Sequence, residues 1–395
     1  MVEPRTEAVK ALMDVIVIGA GPVGSFTAWR LAEAGLRALV VEEHTTVGEP
    51  AHCTGVVGRQ VFERFGLPRE AIIRPLCGAT FYSPSGYSFT VELDEPRAYV
   101  IDRPAFDRRL AGLALEAGAS YLLGAQADSI ERRRAGMVVN VSADGGRQRL
   151  QGRMCIIAGG SRCRIGRELG LRYPASYANG AQVEAAIRET RGVEIYCGRS
   201  IAPASFGWVV PLGDGCARVG LRAFGEVRSR LERFLKHPLL RGRVEPGRGP
   251  AIGGAIPAEA SPKTYADRAL TVGDAAGQVK TTTGGGVLFG LVCAEIAAQV
   301  AVAACQRDVF DEAFLRVYQK RWRREIAREL RLGLIARRLA GLLRDEDLDE
   351  LFRRVRRQTF AQRVSATTDF DHHARRVLSL LRGPALLAAL KGARA

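Results

Sequence analysis

Apolar residues change their spacing along this chain, and each change marks an element. Residues 14–18 are a nearly unbroken apolar run, the pattern of a strand buried on both faces. A helix to about residue 34 and a second apolar run at 38–41 follow. Between residues 79 and 91 apolar and polar positions alternate around Ser83-Pro84-Ser85-Gly86, which predicts a β-hairpin outside the parallel sheet. Pro104 fits the first turn of a helix to about residue 117, with Phe106, Leu110, Leu113 and Leu115 as its apolar positions. A strand at 120–124, a β-meander over 127–150 and a buried strand at 154–158 come next. From 180 to 221, strand-like runs broken by Gly and Pro predict a largely antiparallel sheet, and 226–240 reads as helix. A further apolar strand, 269–272, ends at Gly273-Asp274. Three glycines, 284–286, then precede a helix over 287–304, and residues 308–390 read as successive helices with Arg-rich faces.

The first strand–turn–helix carries chemistry. Gly19, Gly21 and Gly24 follow the strand, and Glu42 ends the next strand, 18 residues after Gly24. Gly19 permits the tight turn, Gly21 lets backbone approach a pyrophosphate, and Gly24 lets helix and strand pack closely. The helix N-terminus offers N–H donors to phosphate, and Glu42 can accept two ribose hydroxyls. In this full context the glycine pattern predicts a bound dinucleotide.

Bulk properties narrow the classes. The 395 residues supply core for two or three domains, and 47% hydrophobic with 25% charged residues is a globular composition. The longest apolar stretch, 290–304, is shorter than a membrane span and is interrupted by Glu295 and Gln299. Residues 1–12 have no apolar leader core and read as a disordered extension, with Met13 a candidate start. Eight scattered cysteines form no Cys-x-x-Cys, which argues against zinc ribbons and cysteine-ligated clusters and predicts no metal site. With no export signal, reduced thiols and a cytoplasmic location are the expectation. The net charge is +16, and residues 306–395 hold 21 Lys and Arg against 12 Asp and Glu. Two readings stay open for that excess: solvated helix faces, or attraction to anionic headgroups or polyphosphates at the inner face of a membrane. Nucleic acid is not expected, because no recognised nucleic-acid module accompanies the charge.

The order of motifs resembles the flavoprotein fold of aromatic hydroxylases: the glycine triple with Glu42, then Asp102-Arg103 before a helix, then Gly273-Asp274 with a glycine run. The resemblance implies FAD. On it, Asp274 contacts the ribityl-phosphate part, and Gly285, Gly286 and Val287 face the pyrimidine edge of the flavin, where a helix dipole favours negative charge. Gly24, Glu42, Arg103 and Ala127 join the FAD site on the same resemblance.

Two features resemble the geranylgeranyl reductase branch, archaeal digeranylgeranylglycerophospholipid reductases included. Pro203-Ala204-Ser205-Phe206-Gly207-Trp208-Val209-Val210-Pro211 is similar to that family's P-x-x-[Y/F]-x-W-x-[F/V]-P, which lines an isoprenoid cavity against the flavin. Cys53, in His52-Cys53-Thr54-Gly55, matches a Cys-x-Gly turn beside the flavin, so Cys53, Thr54 and Gly55 also join the site. From the residues alone, Phe206 and Trp208 equally suit core packing, and Cys53 equally suits a small buried position. The chain departs from many archaeal relatives, which carry Cys-Gly-Glu-Gly where Cys53-Thr54-Gly55-Val56 stands, and has Phe206 where Tyr is usual.

The expected architecture is therefore α/β. A Rossmann-like FAD-binding domain (13–75, 98–170, 262–305) carries an inserted antiparallel-sheet substrate domain (76–97, 171–261), and a helical region (306–395) follows. The resemblance implies saturation of C=C bonds in geranylgeranyl chains of membrane-lipid precursors. Cys53, Phe206 and Trp208 form the catalytic surround, and an external donor (ferredoxin, NAD(P)H or a reduced deazaflavin) reduces the flavin. Two alternatives share the cradle: a flavin monooxygenase or halogenase, and an electron-transfer flavoprotein–quinone oxidoreductase.

Overall fold

The computed structural model describes residues 12–188, 190, 192–247, 249–357 and 370–381. The expected N-terminal extension lies outside the described residues apart from Leu12, and so does part of the C-terminal region.

Five parallel strands run in the order Ala269–Thr271, Gly146–Ile157, Met13–Ile18, Ala38–Val41 and Ser120–Leu122. Both faces of this sheet are covered, which is why its strands read as unbroken apolar runs. On one face lie the helices Pro22–Glu33, Arg103–Glu116 and Val287–Arg307, packed around Phe26, Leu31, Phe106, Leu110 and Phe289. On the other a second cluster gathers Ile16, Ile18, Leu39, Val139 and Leu150.

Here the structure corrects the sequence reading. The meander expected to stop at 150 and the strand expected at 154–158 are one strand, Gly146–Ile157. Its first half pairs antiparallel with Gly136–Ala143 and its second half parallel with Met13–Ile18. Gly152, in the gap between the two expected elements, gives Ile16 room: a Cβ there would come within 3.0 Å of the Ile16 side chain.

A second, seven-strand path runs Val244–Pro246, Tyr177–Ile187, Cys216–Ala223, Phe206–Gly213, Val193–Cys197, Gly78–Tyr82, Ser88–Glu92, with Ile252–Pro257 also on Tyr177–Ile187. The expected hairpin at 79–91 is present and joins this sheet through a parallel pairing with Val193–Cys197. A small third sheet, Val56–Gly58, Ala98–Ile101 and Ile72–Leu76, sits between the two. The helix expected over 226–240 is shorter, Arg228–Leu235, and turns follow it.

Val287–Arg307 is 21 residues long with mean hydropathy 2.1, apolar enough to cross a membrane on length and composition. Its window is 72% buried, and Leu291, Ala294, Ala298 and Ala301 pack into the main cluster, so its apolarity is that of a core helix. Glu312–Ala340, capped by Asp311 through Phe314 N (2.8 Å), then crosses back over the body. Asp345–Arg357 and Ala374–Leu381 follow.

Candidate active site

The parallel sheet, the antiparallel sheet and the C-terminal helices enclose a cavity of about 1790 Å³. A single small-ligand site is ordinarily ~300–1,000 Å³, so this space can hold a dinucleotide and a second molecule together.

The glycine-rich end is built for the dinucleotide. Gly19 sits at φ +98°, and a Cβ there would lie 2.7 Å from the Ala158 carbonyl oxygen. A Cβ on Gly24 would overlap the Gly19 carbonyl oxygen. Gly21 caps helix Pro22–Glu33 without any side-chain hydrogen bond and borders open space, so the first-turn N–H groups are left for a ligand. Glu42 Oε2 accepts from Ala20 N (2.7 Å) and Oε1 from His44 N (3.0 Å), which fixes the carboxylate beside the turn. Gly19, Gly21, Glu42, Arg103, Ala127 and Asp274 all line the cavity. So do Gly285, Gly286 and Val287, as well as Cys53 and Thr54. Gly24 and Gly55 are not among the lining residues; both work behind the wall, where a side chain would strike backbone.

Asp274 occupies a turn after strand Ala269–Thr271, partly facing the cavity. Gly286 is the N-cap of helix Val287–Arg307 and has no side-chain partner. A Cβ on Gly286 would lie 2.7 Å from Asp274 Oδ1, so glycine is what lets the carboxylate and the helix start meet. Burial pushes the Asp274 carboxyl up from 3.8 to about 6, and the nearby Arg103 charge works against that rise. A folded pKa above the unfolded one favours the native state below about pH 4. That advantage is lost as pH rises through about 6. Asp274→Asn is therefore expected to stabilise the apoprotein at pH 7 by up to roughly 3 kcal/mol, at ~1.4 kcal/mol per pH unit, with little gain at pH 4. The same variant should retain FAD less well. Urea unfolding of apoprotein at the two pH values checks the first effect, and flavin release on gel filtration checks the second.

Cys53 lies on the loop before Val56–Gly58. Its Sγ accepts from Gly55 N at 3.3 Å and lies close enough to the Arg103 guanidinium to interact with its charge. Arg103 is held by a bidentate pair with Asp107 (Nε–Oδ1 3.2 Å, Nη2–Oδ2 2.9 Å). Burial disfavours the Arg103 charge, but Asp107 and Cys53 more than restore it, so the guanidinium stays ionised. Burial likewise raises the Asp107 carboxyl, against the pull of Arg103. The loop is clamped to the second sheet: Thr54 Oγ1 donates to Gln182 Oε1 (2.7 Å), and Arg218 Nη1 donates to the Thr54 carbonyl (2.9 Å).

Phe206 and Trp208 lie two apart on strand Phe206–Gly213, ring centroids 6.0 Å apart, and both line the cavity. Gly220 faces Trp208 across the strands; a Cβ there would fall 2.6 Å from the indole. Phe81, Phe89, Val193 and Phe352 extend this apolar wall.

Several cavity residues escaped the sequence reading: Gln182, Arg222, Lys280, Arg337 and the segment Phe370–His373. That segment is not simply part of a helical tail. It returns to the cavity before helix Ala374–Leu381, and Asp371 pairs with Lys280 (2.8 Å).

Comparison with known proteins gives a consistent picture. The FAD binding domain family matches residues 12–200. Digeranylgeranylglycerophospholipid reductase 2 of Methanopyrus kandleri is 33% identical over 96% of this chain and 98% of its own. The digeranylgeranylglycerophospholipid reductase of Methanocaldococcus jannaschii is 32% identical over 86% of this chain and 89% of its own. Among solved structures, a geranylgeranyl bacteriochlorophyll reductase-like protein from Thermoplasma acidophilum superposes with TM-score 0.85 at 24% identity, over 96% of this chain and 99% of that one. The p-nitrophenol 4-monooxygenase of Pseudomonas putida shares the fold more distantly, at TM-score 0.68 and 18% identity over 96% and 98%.

Proposed function

The chain belongs to the family of digeranylgeranylglycerophospholipid reductases and is an FAD-dependent oxidoreductase, and from that premise we propose that it saturates C=C bonds of geranylgeranyl chains on an archaeal-type glycerophospholipid precursor. The observation that carries this reading is the single cavity in which the dinucleotide cradle and Cys53 open onto the apolar wall of Phe206 and Trp208.

The residues divide the work. Gly19, Gly21 and the N-terminus of Pro22–Glu33 take the pyrophosphate, Glu42 the adenosine ribose, and Asp274 with Gly285, Gly286 and Val287 the ribityl and pyrimidine region. FAD, when bound, supplies a hydride equivalent to one alkene carbon. The other carbon needs a proton, which the Cys53 Sγ–H gives. Arg103, fixed by Asp107, then holds the negative charge left on sulfur. A trisubstituted alkene offers no polar handle, so Phe206 and Trp208 position it by shape and exclude water.

An external reductant, of the ferredoxin, NAD(P)H or reduced-deazaflavin type, restores the flavin. Lipids from a host that makes geranylgeranyl lipids, with and without this protein, give the test. Mass gains in steps of two hydrogens are expected. An oxygen-dependent hydroxylated or halogenated product would sink the reading.

The enzyme works at the cytoplasmic face of an anionic membrane. In support, Arg316, Lys320, Arg324, Arg328 and Arg331 form an exposed stripe on helix Glu312–Ala340, close to exposed Val317 and Ile335. Co-sedimentation with anionic vesicles is expected at low salt and should weaken several-fold at ~0.5 M salt, where the Debye length falls below ~5 Å. Equal binding to neutral vesicles would leave the stripe as a solvated face.

A further inference from the structure

Two arginines in the cavity wall form no ion pair among the described residues. Arg222, on the central strand Cys216–Ala223, is 0% exposed. Its Nη1 donates to the Thr282 carbonyl (3.1 Å), whereas Nε and Nη2 have no hydrogen-bond partner among the described residues. Arg337 reaches the same wall from helix Glu312–Ala340; its Nη2 donates to the Ala258 carbonyl (3.3 Å) and its Nε has no partner among the described residues. Both guanidiniums approach Phe224, at 5.8 Å and 4.7 Å from its centroid. Burial, with the nearby Arg337 charge adding to it, pushes Arg222 down to about 10. Among the described residues neither arginine forms an ion pair, in contrast to Arg103 with Asp107 and Lys280 with Asp371.

A buried, uncompensated cation such as Arg222 costs several kcal/mol, and the half-buried Arg337 charge beside it adds to that cost unless an anion joins them. We propose that Arg222 and Arg337 form the anion subsite that receives the phosphate of the lipid's glycerophosphate head, an assignment that rests on the polyprenyl-lipid reading. The surroundings suit a head-and-tail ligand. Gly253, Gly254, Thr282 and Thr283 offer small and polar wall near the arginines, while Phe81, Phe89, Phe206 and Trp208 line the apolar reach of the same cavity. Arg337 comes from the C-terminal helices rather than from the nucleotide-binding sheet, which favours a substrate headgroup over the cofactor as its anion.

The test uses FAD-loaded enzyme and titrates geranylgeranyl phosphate against geranylgeraniol by calorimetry, for the wild type, Arg222→Gln, Arg222→Lys and Arg337→Gln. Charge-assisted hydrogen bonds should make the wild type bind the phosphate at least about tenfold more tightly than the alcohol. Both Gln variants should bring the two ligands near parity with alcohol binding unchanged, and Arg222→Lys should keep most of the preference. Equal weakening of both ligands, or no weakening, overturns the subsite. So does a shift of the flavin midpoint potential in Arg222→Gln with phosphate preference intact, which would assign the charge to the flavin. If the wild type binds neither prenyl compound, the polyprenyl reading fails. The subsite then stands on phosphorus-NMR binding of glycerol phosphate: loss of that binding in both Gln variants supports it, and no binding to wild type overturns it.

Discussion

Cys53→Ala should slow reoxidation of the pre-reduced enzyme by prenyl lipid by ~10²–10⁴, the usual effect of removing a proton donor, with FAD retained. The expectation follows from position. Cys53 Sγ is tied to Gly55 N at 3.3 Å and lies beside the Arg103 charge, and its residue lines the cavity shared by cradle and aromatic wall. Arg103 cannot itself release a proton at working pH, so in this cluster the thiol is the donor and the guanidinium its electrostatic support. Cys53→Ser keeps size and hydrogen bonding but has a far weaker acid, and should fall between wild type and Ala. Cys77→Ala, at an exposed position, serves as the control. Single-turnover reoxidation is the assay because it needs no knowledge of the physiological donor. A Cys53→Ala enzyme that reoxidises at the wild-type rate would reduce this residue to turn packing.

What could be seen in the sequence was what is local. Gly19, Gly21 and Gly24 are legible because a strand, a turn and a helix lie within some twenty residues, and Asp274 because the same grammar recurs at the end of Ala269–Thr271. Phe206 and Trp208 are legible through the two-residue period of a strand. Arg222 belongs to the same sheet but was hidden. A lone arginine in a strand reads as a solvent-facing residue until Thr282, sixty positions away, is known to sit against it. Thr54 with Gln182 and Lys280 with Asp371 were hidden for the same reason, at separations of 128 and 91 residues. The strand Gly146–Ile157 failed differently. Gly152 carries the local signature of a break, and only the packing of Ile16 against it shows that the glycine is there for space. Periodicity assigns elements and faces; it does not report which distant charge a face will meet.

Asp371→Asn is expected to destabilise the holoenzyme by about 3–5 kcal/mol, the cost of leaving a buried charge without its partner. Lys280 Nζ and Asp371 Oδ1 are 2.8 Å apart, with side chains only 5% and 2% exposed. The ammonium also lies 4.3 Å from the Phe370 ring centroid, and Thr282 Oγ1 meets His373 Nε2 at 2.8 Å. Gly58 leaves the room the carboxylate occupies, since a Cβ there would overlap Asp371. The pair thus fastens the C-terminal segment to the loop leading into Gly285 and Gly286, where a Cβ on Gly285 would lie 2.8 Å from Lys280 Cε. Losing the pair should loosen both ends of that contact: thermal unfolding moves down, and iodide quenches the flavin more readily because Phe370 and His373 no longer close the cavity. Removing both charges, as Lys280→Met with Asp371→Leu, should destabilise less than either single change, because no orphan ion remains. Singles that cost under ~1 kcal/mol, or a double variant as unstable as the sum of the two, would show that the segment is held by Phe370 and Val377 packing and that the ion pair adds little.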